Sequence, residues 1–326
     1  MKILLNNPVA PCLKTLGEYL KEVNQSGWYT NFGPLHEKLT HKLEEYLQVK
    51  NLLLVSNGTL ALQVTYKALG IQNPICTPFS YIATASSLKW DNIPTSFVDI
   101  DSKSLNLSPS LVEKELKNSS DFDSVIATHV YGNPCAVESF DEIKKKYNVK
   151  VIYDAAHAFG VNYGGNSLLS YGDAATLSFH ATKVFHTVEG GAVIFKEKDA
   201  YEKAKQLINF SIDSSGIPTG AGINAKLNEY QAAVGLTLLD NIDNILDHRQ
   251  TIFNEYIRLL ESCVEIPVWN KNTTFKNGSY FPIILENEEE KKRIKNLLDD
   301  AGIPSREYFS PSLNLIFKPE DDCPVS

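Results

Sequence analysis

Three short segments of the chain place reactive residue types beside apolar runs. In Leu177-Ser178-Phe179-His180-Ala181-Thr182-Lys183-Val184-Phe185-His186, a lone lysine follows an apolar run among small, aromatic and histidine residues, ahead of Gly190-Gly191. Desolvation in such surroundings lowers a lysine's basicity and lets it attack carbonyls, whereas most lysines are solvated surface groups. The glycine pair would permit unusual backbone angles there. In Tyr153-Asp154-Ala155-Ala156-His157, a carboxylate ends an apolar strand pattern. Buried there, Asp154 needs a cation or hydrogen-bond donors, whether in a reactive site or in a structural ion pair or cap. In Val55-Ser56-Asn57-Gly58-Thr59-Leu60, a glycine and hydroxyl residues stand where a strand pattern gives way to a helical one. That turn aims backbone N–H groups and a helix dipole at an anion, although an ordinary helix cap uses the same residue types.

One cofactor uses all three features. Pyridoxal 5′-phosphate needs a lysine for its Schiff-base linkage, a carboxylate to keep its ring nitrogen protonated, and a helix start with hydroxyls for its phosphate. The three segments occur along the chain with Lys183 placed 29 positions after Asp154. Other chemistries are less well served. His36 and His41 flank Glu37 as in a zinc-protease helix, but at five positions apart they point about 140° away from each other, and no metal site is expected. Neither a dinucleotide-binding G-x-G-x-x-G nor a P-loop is present.

The elements that must hold these residues read as alternating strands and helices. Leucines at helical spacing from Leu13 to Val23 and from Leu35 to Leu47 predict two opening helices. Short apolar strands follow at 52–55, 75–76, 96–98, 125–127 and 149–153, interleaved with helices at 59–69, 83–89, from Ser108-Pro109, and 140–147. Strands that are apolar throughout predict a large, mostly parallel sheet covered by helices on both faces, with ligands at the strands' carboxyl ends. The runs Ala174–Phe179 and Gly191–Phe195 lie too close together for an intervening helix, so part of the sheet should be antiparallel. A long helical pattern from Leu227 to Leu260, a strand at 279–285 and a helix at 288–300 complete the chain. A cofactor domain over 1–235 and a smaller α+β domain over 236–326 are expected.

Composition narrows the partners. The chain has 326 residues, with 31 Lys+Arg against 39 Asp+Glu and a formal net charge of −8. That balance argues against a nucleic-acid binder, and Lys144-Lys145-Lys146 reads as a solvated helix face. Five scattered cysteines form no C-x-x-C pair, which suggests neither a disulfide framework nor a zinc site. The apolar run near Met1 is too short for a signal peptide and no segment is long enough to span a bilayer, so a soluble cytoplasmic protein is expected.

Together these residues resemble the DegT/StrS family of sugar-nucleotide aminotransferases, which are fold-type I pyridoxal-phosphate enzymes. The matching landmarks are Ser26-Gly27-Trp28, Gly33-Pro34, Asn57-Gly58-Thr59-Leu60-Ala61-Leu62, Ser80-Tyr81-Ile82-Ala83-Thr84 and Asp154-Ala155-Ala156-His157-Ala158. They continue through Ser178 to Lys183, Glu189-Gly190-Gly191, Gly222-Ile223-Asn224 and Glu229-Tyr230-Gln231-Ala232-Ala233. The resemblance implies that Lys183 carries the cofactor linkage, Asp154 pairs with the ring nitrogen and Tyr81 stacks on the ring. It implies phosphate contacts from Gly58, Thr59 and Ser178, and places His157 beside the ring. Asn224 would reach the cofactor phosphate of a second subunit, because family sites are built at a homodimer interface.

The same resemblance implies the reaction. L-glutamate would donate its amino group and leave as 2-oxoglutarate, and the amine would pass to a keto sugar carried on a nucleotide. The Ser178–Thr187 string and Tyr308-Phe309-Ser310-Pro311-Ser312-Leu313 look most like enzymes that aminate C4 of dTDP-4-keto-6-deoxyglucose for surface glycans such as O-antigen. Amination at C3 is the alternative, and a non-catalytic binding or regulatory protein a more remote one that Lys183 and Asp154 argue against. Two departures stand out: Ser312-Leu313-Asn314 replaces a frequent Pro-Leu-His, and Lys226 replaces a frequent arginine. Relatives usually continue beyond the Cys323-Pro324 position, so a shortened carboxyl end is expected.

Overall fold

The computed structural model describes residues 3–326; Met1 and Lys2, at the start of the segment tested above as a signal peptide, lie outside the described residues. Among the described residues ten strands are formed: β1 (Leu52–Val55), β2 (Pro74–Cys76), β3 (Ser96–Phe97), β4 (Ser124–Thr128), β5 (Lys150–Asp154), β6 (Asn162–Tyr163), β7 (Asn166–Ser167), β8 (Ala174–Ser178), β9 (Gly191–Phe195) and β10 (Thr273–Phe275). The helices are α1 (Leu13–Ser26), α2 (Pro34–Leu47), α3 (Gly58–Leu69), α4 (Ala83–Trp90), α5 (Pro109–Asn118), α6 (Val137–Tyr147), α7 (Lys198–Leu207), α8 (Glu229–Leu239), α9 (Ile242–Leu260), α10 (Glu288–Asp300) and α11 (Leu313–Phe317).

A seven-stranded sheet in the order β1-β9-β8-β5-β4-β2-β3 organises the chain. Within it β9 runs antiparallel to both neighbours, and the other pairings are parallel. The expected mixed, mostly parallel sheet is therefore present. Its pleat explains the unbroken apolar strands. Leu52, Leu54, Ala192 and Ile194 enter one core with α1, α2 and α8, while Leu53, Val55, Val193 and Phe195 enter another with α3 and α7. Alternate side chains thus serve opposite faces, and both faces are dry.

Two readings of the carboxyl-terminal part are corrected. The pattern from Leu227 to Leu260 is two helices, because the chain breaks helical geometry at Asn241, where Asp240 instead accepts hydrogen bonds from Tyr19 and Lys42. Residues 279–285 form no strand. They are half-buried with no partner ladder, and an isolated bridge between Glu265 and Ile284 is their sheet-like contact. A small sheet, β10-β6-β7, escaped the sequence reading. Its β6–β7 hairpin turns through Gly164-Gly165, both at positive φ, which is the two-residue glycine signal for such a turn. Residue 235 lies within α8, and Ile242, Ile245 and Leu246 of α9 continue the main core.

Candidate active site

The carboxyl ends of β1, β2, β5 and β8 bring the candidate residues to one side of the sheet. Asp154 is the last residue of β5 and is only 5% exposed. Its Oδ2 accepts a 2.7 Å hydrogen bond from Thr84 Oγ1, and its Oδ1 accepts the Ala156 N–H at 3.1 Å. Burial pushes its pKa above the ordinary carboxylate range, while Thr84, Ala156 and the nearby Lys183 pull it back.

Lys183 lies in the turn that follows β8, where its N–H donates to the His180 carbonyl at 2.9 Å. Burial depresses its pKa, Asp154 opposes that shift, and the positive field of Arg306 adds to it. A lysine in this position is neutral over more of the pH range than a solvated one, which is what a carbonyl nucleophile requires.

Beside Ser178 at the end of β8, the start of α3 could hold an anion. Asn57 caps the helix by accepting the Leu60 N–H at 2.9 Å. Among the described residues, the N–H groups of Gly58 and Thr59 have no backbone acceptor. A Cβ on Gly58 would stand 2.9 Å from the Ser178 Cβ, so only glycine lets the helix start approach that hydroxyl. The pair Gly190-Gly191 has a similar reason, and the expected unusual backbone angles are not found: neither residue has positive φ. Space decides instead, since a Cβ on Gly191 would lie 2.8 Å from the Asn57 backbone.

His157 is buried beyond Asp154, where its Nδ1 accepts the Tyr131 N–H at 3.2 Å. Burial, and secondarily Lys183, hold its pKa well below the usual imidazole range. Tyr81, in the loop before α4, is 55% exposed. Asn224 is placed differently: it is exposed on the strand-like segment that bridges Asn209, with no side-chain hydrogen bond to the other candidates. Lys226 follows it, buried, and donates to Asn209 Oδ1 at 2.8 Å.

Several neighbours were not singled out from the sequence. Tyr280 packs against the His157 ring at 4.6 Å, and Phe309 lies parallel to it at 6.4 Å. Arg306 reaches over the Tyr308 ring at 5.0 Å. These residues come from irregular carboxyl-terminal segments; Phe309 was quoted only within a subfamily string and Tyr280 only within an expected strand, and nothing in the sequence places Tyr280, Phe309 or Arg306 near the site. Thr84 was quoted only as part of a landmark string.

The donor set fits pyridoxal phosphate: a glycine-walled helix start with free N–H groups beside a serine, a buried carboxylate, and a desolvated lysine coupled to it. No group of three His, Cys, Asp or Glu side chains suited to a metal occurs among the described residues, and no helix there is long and apolar enough to cross a membrane. Comparison with known proteins agrees with this geometry. The chain matches the DegT/DnrJ/EryC1/StrS aminotransferase family over residues 13–325. It is 40% identical over 314 residues to a dTDP-4-amino-4,6-dideoxy-D-glucose transaminase of Shigella dysenteriae, covering 95% of this chain and 85% of the relative. It is 30% identical over 299 residues to a GDP-perosamine synthase of Escherichia coli O157:H7, covering 90% and 81%. The crystal structure of DesI in the presence of its TDP-sugar product superposes with a TM-score of 0.90 at 28% identity, covering 99% of this chain and 84% of that one. The chain belongs to the DegT/DnrJ/EryC1/StrS aminotransferase family.

Proposed function

We propose that this aminotransferase uses pyridoxal 5′-phosphate to move an amino group from L-glutamate to C4 of a keto-deoxysugar nucleotide, with dTDP-4-keto-6-deoxyglucose as its substrate. The observation that carries the cofactor reading is the placement of buried Asp154 at the end of β5 and Lys183 in the turn after the adjoining strand β8, where each pulls the other's pKa toward its charged form. The similarity to the Shigella transaminase supports C4 over C3.

Each residue then has a task. When bound, the cofactor supplies an aldehyde for the donor amine and an electron-withdrawing ring. Gly58, Thr59 and Ser178 would hold its phosphate, Tyr81 would cover the ring, and Asp154 would hold the proton of the ring nitrogen. His157 is fixed as a neutral donor: Nδ1 accepts from Tyr131, so Nε2 carries the hydrogen. Lys183 Nζ would be the base that takes the proton from the donor's Cα and delivers it to the former aldehyde carbon, because burial first, and the field of Arg306 after it, lower its pKa. The same groups serve the return half-reaction on the keto sugar, so the kinetics should be ping-pong.

The residues from 236 onward would form a smaller substrate-facing part, through Tyr280, Arg306 and Phe309. Two copies are proposed to associate, with Asn224 of each reaching the other's cofactor phosphate; its exposure on this chain supports that reading.

The test is spectroscopic. Protein loaded with pyridoxal phosphate should be yellow, and L-glutamate should bleach the colour with release of 2-oxoglutarate; Lys183→Ala should show neither change. A wild-type protein that stays colourless with added pyridoxal phosphate would refute the cofactor assignment.

A further inference from the structure

Behind Asp154 the structure holds three buried hydroxyl residues that the reaction as described does not use. Thr84 stands in the first turn of α4, Ser80 in the loop between β2 and α4, and Thr128 at the end of β4, in register with Asp154 on β5. All three are at most 3% exposed. Thr84 Oγ1 donates to Asp154 Oδ2 at 2.7 Å, Ser80 Oγ lies 2.7 Å from Thr84 Oγ1, and Thr128 Oγ1 donates to Ser80 Oγ at 2.9 Å.

The direction of this chain follows from counting protons. A hydroxyl has one. Thr84 gives its proton to Asp154, so Ser80 must donate to Thr84, and Thr128 in turn donates to Ser80. Every hydrogen points toward the carboxylate. Protonation of Asp154 at Oδ2 would weaken that oxygen as the acceptor for Thr84, and reversing the chain to receive the new proton would leave the Thr128 proton without an acceptor, since Thr128 Oγ1 has no other hydrogen-bond partner among the described residues. Protonation at Oδ1 would set it against the Ala156 N–H. Both oxygens face donors, which suits an acceptor-only, ionised carboxylate.

Other groups around Asp154 do not replace this support. Lys183 pulls the Asp154 pKa down, but less than Thr84 and the Ala156 N–H do; Tyr66 of α3 and Cys76 of β2 are buried and kept neutral, as is His157. Thr84 is itself pinned, because Tyr66 and Ser87 donate to its carbonyl at 3.3 and 3.2 Å.

We propose that Thr128, Ser80 and Thr84 form a one-way hydroxyl relay that positions Asp154 and keeps it ionised to receive the cofactor's ring nitrogen. They are positioning residues, and the proposal rests on the pyridoxal-phosphate reading above.

The test measures the dissociation constant of pyridoxal phosphate for the cofactor-free full chain as a function of pH. Thr84→Val should weaken binding about tenfold at neutral pH. It should also move the acid limb of the binding profile to higher pH, because the carboxylate loses a donor that favours its ionised form. Thr84→Ser restores the hydroxyl and should return both quantities to within about threefold of wild type. Ser80→Ala deletes one oxygen and should shift the limb in the same direction by less; it reads the relay even if Thr84→Val does not fold. A uniform loss of affinity with the acid limb unmoved would mean packing alone and overturn the relay, as would Thr84→Ser behaving like Thr84→Val. If wild type binds and every variant matches it, the relay fails alone. If wild type does not bind pyridoxal phosphate, the cofactor reading fails and takes the relay with it.

Discussion

The backbone N–H of Tyr131 donates to Nδ1 of His157 at 3.2 Å, from a residue held at φ 57°. A tyrosine in the left-handed region is strained, and such strain persists only where surrounding contacts over-determine it. Here the Tyr131 ring lies parallel to both His157 and Phe309 at 6.3 Å from each. The strained turn therefore fixes one tautomer of a buried imidazole beside Asp154, leaving its other nitrogen as a donor.

That tautomer has a measurable consequence. His157→Phe removes the Nε2 donor and should weaken pyridoxal-phosphate binding about tenfold, whereas His157→Gln keeps an N–H donor and should cost less than about threefold. Equilibrium titration of the cofactor-free protein checks this, and equal losses for both variants would show that packing rather than donation matters.

Stability should fall on acidification. Burial pushes the pKa of four histidines below the ordinary value: His36 to about 4, His129 to about 3, and His157 and His186 in the same direction. Below about pH 6.5 the unfolded chain binds protons that the native chain does not, so each lowers unfolding free energy by about 1.4 kcal/mol per pH unit until its folded value is reached. His36 Nε2 is buried with no hydrogen-bond partner among the described residues, so His36→Leu should flatten this dependence by one proton's worth in urea unfolding across the acid range. An unchanged slope would contradict a neutral His36.

Arg306 acts on the lysine at a distance. Its charge depresses the Lys183 pKa, after burial and against the pull of Asp154. Arg306→Gln should therefore move the pH profile of Lys183 acylation, followed by mass spectrometry on cofactor-free protein, to higher pH. A profile that stays in place would remove Arg306 from the account.

The landmark residues Gly33, Pro34 and Glu229 have a structural role. Glu229, 1% exposed at the start of α8, accepts the N–H groups of Leu35 and His36 at 2.8 Å each, and so caps α2. A Cβ on Gly33 would stand 2.7 Å from the Glu229 Cδ. Removing a buried carboxylate that accepts two such bonds should cost about 2–4 kcal/mol in Glu229→Ala, and Gly33→Ala should destabilise in the same direction. Denaturant midpoints of the two variants check this; wild-type midpoints would contradict the cap.

How much of this could be read from the sequence depended on periodicity and spacing. The sheet was legible because strands such as Leu52–Val55 and Gly191–Phe195 feed cores on both faces and so are apolar throughout. Asp154, Lys183 and Gly58 were legible because each interrupts or ends such a run with a reactive or very small residue. Beyond residue 261 the helix Glu288–Asp300 was legible, but the segments around it were not, since residues 279–285 are half-buried without a ladder and carry neither period. Thr84 and Arg306 act through positions fixed only by the fold: one donates across from α4 to β5, the other acts from a distant irregular segment. Backbone angle does not explain Gly190-Gly191; close approach does, to the Thr187 side chain for Gly190 and to the Asn57 backbone for Gly191.

The central claim is the site of amination, and NMR of the product tests it most directly. Protein loaded with pyridoxal phosphate, given L-glutamate and dTDP-4-keto-6-deoxyglucose, should yield a sugar whose C4 carries a hydrogen and an amine, with 2-oxoglutarate formed in equal amount. An unchanged 4-keto sugar after glutamate has been consumed in the first half-reaction, or an amine at C3, would contradict the account.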